Sequence, residues 1–273
     1  MNKFTALLRT FMILLLLLAF ACKKKSGPAN IDLPETPEKP VIPTKPDTQV
    51  KQLVPLSIST DNQKIDFQYA ATGDFLTELR QSNGTREMIL YNDKNQLKQY
   101  KRFMKDDLLY QVYYVLDNTG LVTKGIQYKV EAAGKLISPL GYYQPSYNEK
   151  QQIESVDWYD FKDMLIKTQT FSYDKQSLFI GKKTSGNPPT NLNFSYDEHA
   201  GIFKQVPLIQ ILSLEHEAFY MLNNKSNVKS IINESEPDAD QKFEMQYNAN
   251  GYPTTITQTN VSGKSKVYKV TYR

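Results

Sequence analysis

Cysteine is nearly missing from this 273-residue chain, in which Cys22 is the only one. Its scarcity excludes disulfides and cysteine-based metal sites, so stability has to come from packed secondary structure. Histidine is almost as rare. His199 stands beside Asp197 and Glu198, and His216 between Glu215 and Glu217. Neither has a second histidine at ligand spacing, and both read as surface residues. No glycine-rich loop followed by lysine is present to cradle a phosphate, and there is no dinucleotide fingerprint. Ser195 lacks the glycine elbow of a nucleophile. The formal charge of +4 also shrinks on inspection, because Lys3, Arg9 and Lys23 to Lys25 all lie at the N-terminus. The remainder is close to neutral and has no basic face for nucleic acid. The apolar run Phe11 to Phe20 is too short to span a membrane.

What the chain does have is a recurring pattern. Counted from the residue before a turn, it passes through Tyr69, Tyr91, Leu116, Tyr147, Tyr173, Tyr196, Leu222 and Tyr247. The next position is Asn92, Asp117, Asn148, Asp174, Asp197, Asn223 or Asn248, with Ala70 the exception. Asn and Asp bond to backbone two residues ahead, as tight turns require. Four positions after the anchor stand Gly73, Asn95, Gly120, Gln151, Ser177, Ala200, Ser226 and Gly251, where a positive φ would close a hairpin through a bulge. Six positions after it the chain is apolar again, at Phe75, Leu97, Val122, Ile153, Phe179, Ile202 and Val228. Two positions before it, Phe67, Ile89, Tyr114, Phe171, Phe194, Tyr220 and Met245 share a face with the anchor. One apolar face and one polar face specify antiparallel sheet.

Eight such units and a final strand predict one all-β domain over residues 51–273, an antiparallel meander of sixteen or seventeen short strands. Asn83-Gly84 and Asn260 to Lys264 are expected as tight turns between units. Two stretches break the rhythm. Glu131 to Gln144, with Gly134, Pro139 and Gly141, reads as a long loop. Pro207 to Phe219 reads as a short helix opened by Pro207 and covering an end of the sheet, or as a buried strand. A closed aqueous barrel of this many strands has a lumen too wide for side chains to fill, so the sheet is expected to be strongly curved or flattened. Strands of roughly eight residues are short for a transmembrane barrel.

The N-terminus reads as an address. Lys3 and Arg9, the apolar run and Ala19-Phe20-Ala21-Cys22 resemble a bacterial lipoprotein signal, in which the cysteine is lipidated. On that reading residues 1–21 are removed and 22–50 form a tether. Pro34, Pro37, Pro40, Pro43 and Pro46 recur at the three-residue period of polyproline II. Lys23 to Lys25 would then lie near lipid headgroups. They lack the acidic residues that, by resemblance to known surface-export signals in such lipoproteins, would mark export to the cell surface. The periplasmic face and the cell surface both stay open as locations.

Aromatics are abundant, with 18 tyrosines, and most fall in repeat columns where sheet packing explains them. Tyr142, Tyr143, Trp158 and Tyr159 do not, and they are the candidate ligand-binding residues, since an aromatic ring suits sugar stacking. Glu149, Glu154, Asp157, Asp160 and Asp163 are the acidic residues from which a hydrolytic pair would be drawn.

The turn Tyr247-Asn248-Ala249-Asn250-Gly251 resembles the tyrosine-aspartate repeats of large secreted proteins. Residues 51–273 with the leader resemble a family of secreted bacterial lipoproteins of unknown function with a porin-like antiparallel β fold. Members of that family share tyrosine-asparagine turns and a Gly-Ile-Phe-Lys stretch, here Gly201-Ile202-Phe203-Lys204. The resemblance implies a barrel-like sheet and brings no catalytic residues. The resulting expectation is an outer-membrane lipoprotein of the cell envelope, anchored through Cys22, that binds a glycan or peptide. No cofactor, metal ligand or nucleic-acid partner is expected. A carboxylate-dependent glycan hydrolase, or an envelope scaffold engaging a protein partner, are the alternatives.

Overall fold

A computed structural model describes residues 52–131, 136–216, 218–222 and 225–273. The leader, Cys22 and the proline-rich segment lie outside them. Sixteen antiparallel strands follow chain order round a closed barrel. The first half comprises β1 (Pro55–Ser59), β2 (Lys64–Tyr69), β3 (Leu76–Gln81), β4 (Thr85–Tyr91), β5 (Leu97–Met104), β6 (Asp107–Leu116), β7 (Val122–Glu131) and β8 (Leu136–Tyr147). The second comprises β9 (Ile153–Asp160), β10 (Leu165–Tyr173), β11 (Phe179–Thr184), β12 (Thr190–Tyr196), β13 (Val228–Asn233), β14 (Gln241–Tyr247), β15 (Pro253–Asn260) and β16 (Ser265–Tyr272). The barrel closes where β1 pairs with β16, Ile58 opposite Val270. One helical turn, α1 (Ile209–Leu212), and 3-10 turns at Phe219–Leu222 and Pro237–Ala239 complete the secondary structure of the described residues.

The turn chemistry is the one the repeat columns predict. Asn92 Oδ1 accepts from the backbone N–H of Lys94 and Gln96, both at 3.0 Å. Asp117, Asn148 and Asn248 make the same pair of bonds two and four residues ahead. Four residues after each anchor the backbone takes positive φ at Gly73, Asn95, Gly120, Gln151, Ser177 and Gly251. These Asx-closed turns define one end of the barrel, called here the repeat-turn end. The linking turns at the other end include Asn83-Gly84, with Gly84 at φ +91°, and Asn260 to Lys264, with Gly263 at φ +76°.

Side chains alternate as expected. In β14, Phe243 is buried while Lys242, Glu244 and Gln246 are exposed, and β12 and β10 follow suit. A lipid-spanning barrel turns its apolar residues outward; this wall turns Phe67, Leu79, Ile89, Val112, Phe194 and Phe243 into one buried cluster.

Four expectations need correction. The first hairpin turn is one residue longer than those after Tyr91, Leu116, Tyr147, Tyr173 and Tyr247, so Leu76, not Phe75, pairs with Tyr69 and is fully buried. Ala70 cannot make the Asx bonds that fix the shorter turn. The stretch Glu131 to Gln144 is not a long loop, because all but the undescribed 132–135 belongs to β7 and β8. Its glycine marks a bulge: Gly141 has φ +142°, and a Cβ there would meet the Tyr159 carbonyl oxygen at 2.0 Å.

The third correction concerns Leu222, which anchors no strand. Its Tyr220-x-Leu222-Asn223 spacing mimics the repeat, but Tyr220 to Leu222 form a 3-10 turn. There are therefore seven repeat hairpins rather than eight, from β2–β3 to β14–β15. The sixth has an insertion: Tyr196 pairs with Val228, the Asp197 N–H donates to the Asn227 carbonyl oxygen, and the Asn227 N–H donates to Asp197 Oδ1, in place of bonds to a residue four ahead. Fourth, of Pro207 to Phe219 only Ile209–Leu212, α1, is α-helical, and it covers an end of the sheet from within the barrel. It lies within that insertion, inside the lumen.

Candidate luminal binding site

The β12–β13 insertion touches strands of the wall as far apart as β2, β6, β8, β14 and β16. The Phe203 ring meets the Phe67 ring of β2 at 5.3 Å. Phe219 stacks on Phe243 of β14 at 4.7 Å and meets Tyr268 of β16 at 5.0 Å. Glu215 accepts hydrogen bonds from Tyr110 of β6 and Tyr143 of β8, each at 2.7 Å. One segment can reach strands round the whole circumference only from within. It is a plug, and it buries Ile202, Phe203, Val206, Ile209, Ile211, Leu212, Tyr220 and Met221. Those side chains occupy the width that wall residues alone cannot fill.

The plug enters at the repeat-turn end, where Tyr196 and Val228 sit, and stoppers it. Its tip, Leu214 to His216, reaches the middle of the lumen. Above the tip is an open cup of about 610 Å³, lined by Gln81, Thr85, Glu87, Arg102, Tyr110, Gln127 and Trp158 of the wall and by the tip itself. Gln81 and Thr85 flank the Asn83-Gly84 turn, so the cup opens at the linking-turn end.

The cup is polar and its groups are mutually bonded. Arg102 Nη2 donates to the Glu215 carbonyl oxygen at 2.6 Å and to the Tyr100 hydroxyl at 3.0 Å. Its Nε lies 3.7 Å from Glu87 Oε1. His216 places Nδ1 3.0 Å from Glu87 Oε1 and Nε2 2.6 Å from the Tyr220 hydroxyl. Gln127 donates to the Tyr110 hydroxyl at 2.6 Å. Trp158 Nε1 donates to Gln169 Oε1 at 3.1 Å, while its ring packs on Tyr143 and under the Lys167 ammonium.

The two carboxyls are driven in opposite directions. Burial pushes Glu215 up, only partly offset by the Tyr143 and Tyr110 hydroxyls and by Arg102. Burial acts on Glu87 in the same sense, but hydrogen bonds from His216 and Tyr100 and the charges of His216 and Arg102 outweigh it, leaving that carboxyl below its ordinary value.

The four aromatic candidates are divided by register. Tyr143 and Trp158 pair across β8 and β9 and face the lumen, Trp158 lining the cup and Tyr143 bonding to Glu215 beneath it. Tyr142 and Tyr159 pair one position along, stack at 4.8 Å on the outer wall, and carry the Lys124 ammonium 3.5 Å above Tyr142. The five acidic residues proposed for hydrolysis build no pair in the cup. Asp157 accepts from Thr168 at 2.6 Å, Asp160 caps the β9–β10 turn, and Glu149, Glu154 and Asp163 are exposed.

Glu87, Arg102, Glu215 and His216 were not among the expected site residues, and His216 is no surface residue: its side chain is 12% exposed. The sequence does hold a signal for Glu87. Four residues before an anchor lies the same inward face, occupied by Ile65, Val112, Tyr143, Leu192 and Phe243 in other hairpins and by Gln169 in the β10–β11 hairpin. A glutamate in that column breaks the pattern and so marks a polar interior.

Against known structures the fold has clear counterparts. It is similar to a porin-like protein from Bacteroides uniformis, with a TM-score of 0.54 and 14% identity over 80% of this chain and 96% of that one. It is also similar to a porin-like protein from Bacteroides vulgatus, with a TM-score of 0.50 and 10% identity over 81% of this chain and 99% of that one. At these identities the likeness is one of fold. No protein-family model and no curated protein matches the chain.

Proposed function

We propose that this is a lipid-anchored binding protein of the cell envelope whose luminal cup receives a glycan or a short peptide. The observation that carries the reading is the cup itself: an open, polar, pre-bonded cavity with the ring of Trp158 on its wall. Such a mixture of an apolar ring face and fixed polar groups is what sugar and peptide sites use. The envelope location rests on the lipoprotein-like leader ending at Cys22 and agrees with the naming of the similar barrels as porin-like.

Glycan-array and peptide-library binding to the full chain tests this. Trp158→Ala should reduce binding at least tenfold, while Tyr159→Ala on the outer wall leaves it unchanged. Equal loss in both variants, or no binding to either library, overturns the cup as the site. Intact-mass analysis showing Cys22 without lipid would overturn the anchor.

A hydrolytic second reading draws on the opposed shifts of Glu87 and Glu215, the arrangement that separates acid from base in carboxylate enzymes. Against it, Glu215 accepts a hydroxyl bond at each oxygen and both oxygens of Glu87 lie within reach of His216 Nδ1. Turnover of a bound glycan that disappears in Glu215→Gln with binding retained would favour hydrolysis over binding alone.

A further inference from the structure

The large apolar side chains that the barrel leaves in solvent gather at one linking turn, between β9 and β10. Phe161, Met164, Leu165 and Ile166 are 60%, 65%, 56% and 58% exposed. The turn that carries them is held rigidly. Asp160 Oδ1 accepts from the N–H groups of Lys162 and Met164 at 2.8 and 2.9 Å, and the Asp160 N–H donates to the Met164 carbonyl oxygen at 3.0 Å. By contrast, none of the turns at the repeat-turn end holds an exposed large hydrophobic residue. A fixed tip that keeps four such side chains in water marks a contact surface.

What lies behind the tip identifies the partner. Tyr159 pairs with Leu165 at the base of the turn and with Tyr142 of β8, on which it stacks at 4.8 Å on the outer wall. Tyr142 pairs in turn with Ile126 of β7, and Lys124, two residues nearer the repeat-turn end, sets its ammonium 3.5 Å from the Tyr142 ring. Two residues also separate Tyr159 from Phe161, so the three levels span about 13 Å at the rise of a strand. From the tip inward they are hydrocarbon, phenol and ammonium. A phospholipid leaflet offers its layers in that order, with acyl chains deepest and tyrosine and lysine favoured at the headgroup level. A protein partner has no need of such layering. The acidic groups of the turn fold back from its tip, Asp160 onto the backbone and Asp163 toward the Tyr142 hydroxyl, and Lys124 and Lys162 balance their charge.

We infer that the β9–β10 turn is a membrane-contact site, with Phe161, Met164, Leu165 and Ile166 entering the acyl region of a phospholipid leaflet and Tyr142 and Tyr159 lying at its headgroups. Side chains of this kind reach about 5–10 Å below the headgroup boundary. The inference takes from the lipid-anchored reading only that a bilayer is at hand. Residues 22–50, at up to about 3.1 Å each, are long enough to let the barrel reach it.

The test uses the full chain with Cys22→Ser, so that no acyl chain is present and a single introduced cysteine takes a polarity-sensitive nitrobenzoxadiazole label. One version carries Met164→Cys at the tip and the other Lys175→Cys in the β10–β11 turn at the opposite end. On vesicles of equal parts phosphatidylethanolamine and phosphatidylglycerol, the tip label should brighten at least twofold and shift to the blue. The Lys175→Cys label should stay unchanged. Phe161→Ser with Leu165→Ser should raise the lipid concentration needed at least tenfold and leave cooperative melting intact, since both side chains are exposed. Four apolar side chains suffice for binding without the anchor, so a tip label that stays in water overturns the site. Equal brightening at both positions, or full binding by the double serine variant, overturns it as well. So does a tip label that brightens without lipid as protein concentration rises and the mass doubles, which would make the occupant a second copy of this chain. Acylation of Cys22 is read separately by mass, and its absence leaves this result unaffected.

Discussion

The anchor tyrosines test the architecture most sharply, because their hydroxyls do something that a phenylalanine could not. The anchors Tyr69, Tyr91, Tyr147 and Tyr173, and Tyr272 of β16, each donate to the backbone carbonyl of the residue that begins the strand before their own. The acceptors are Pro55, Leu76, Val122, Ile153 and Pro253, at 2.7 to 2.9 Å. Each hydroxyl therefore ties one hairpin to the next at the repeat-turn end. Tyr196 stands at the same place in its unit, yet its hydroxyl is buried with no partner among the described residues.

A net contribution of about 0.5–1.5 kcal/mol is typical of one such bond, and a buried hydroxyl left unpaired costs about 1–3 kcal/mol. Tyr91→Phe, Tyr147→Phe and Tyr173→Phe should each destabilise the barrel by about 1 kcal/mol, a fall in Tm of roughly 2–4 °C for a domain of this size. Tyr196→Phe should be neutral or stabilising. Urea titration of the four single variants measures the contrast. Because Tyr91 and Tyr173 belong to separate hairpins, their effects should add to within about 0.5 kcal/mol. A Tyr196→Phe loss as large as that of Tyr173→Phe would show that the rings, not the hydroxyl ties, carry the repeat.

Other positions yield equally direct expectations. Gly125→Ala would place a Cβ 2.3 Å from Tyr143 Cζ; it should cost about 1–3 kcal/mol and weaken ligand binding in the cup by displacing the Tyr143–Glu215 bond, read by melting and by titration. Gln151 holds φ +58°, a strained value for a residue with a side chain, so Gln151→Gly should raise stability by up to about 1 kcal/mol, and a loss would refute the strain. Glu215 gives a pH test with a defined sign. Its carboxyl is raised by burial above its ordinary value, so its share of stability is full while the unfolded chain is also protonated and is lost as pH climbs toward the folded value. Glu215→Gln should accordingly match the parent more poorly at pH 4 than at pH 7, where it should gain relative to it; a pH-independent difference between the two melts would contradict this.

Much of the wall was legible before any coordinates, for a physical reason. An Asx turn is made by one side chain with its own backbone, as Asn92 bonds to Lys94 and Gln96, so it leaves a local mark at fixed spacing. Inward alternation is likewise local, and it placed Phe171, Phe194 and Met245 on one face. What could not be read is what depends on contacts between distant residues. Glu87 and His216 are 129 positions apart, and nothing near either states that they meet. His216 reads as a surface residue from its flanking glutamates because a plug tip and a surface loop have the same composition when the partner wall is unknown. Tyr142 and Tyr143 were picked out as a pair, but adjacent residues of a strand face opposite sides, and only the register with Trp158 and Tyr159 decides which is luminal. Leu222 failed in the opposite way, since its spacing satisfied the pattern without the pairing that gives the pattern meaning.

An insertion at a hairpin turn would ordinarily open a seam in a barrel, and the seam here is held by the same Asx chemistry as the intact turns. Asp197 Oδ1 accepts from the Asn227 N–H, 30 positions away, and its other oxygen takes the Tyr247 hydroxyl from the next hairpin. Closing a loop several times longer costs only about 1–2 kcal/mol more, which two such bonds offset. The wall therefore keeps its register whatever the insertion contains, but the converse dependence is strict. Glu87 and Arg102 face inward from β4 and β5 with Arg102 Nε 3.7 Å from Glu87 Oε1, and a buried polar group that loses a hydrogen-bond partner costs about 1–3 kcal/mol, more where it is charged. His216 and the Glu215 carbonyl supply those partners from the plug. Removing the plug between Asp197 and Asn227 with a short linker should thus cost more than its apolar contacts alone. Replacing Glu87 with Leu and Arg102 with Met in the same shortened chain should recover part of the loss. Recovery would mean that wall charge and plug tip are one structural unit, and no recovery would mean that the lumen hydrates both charges without the plug.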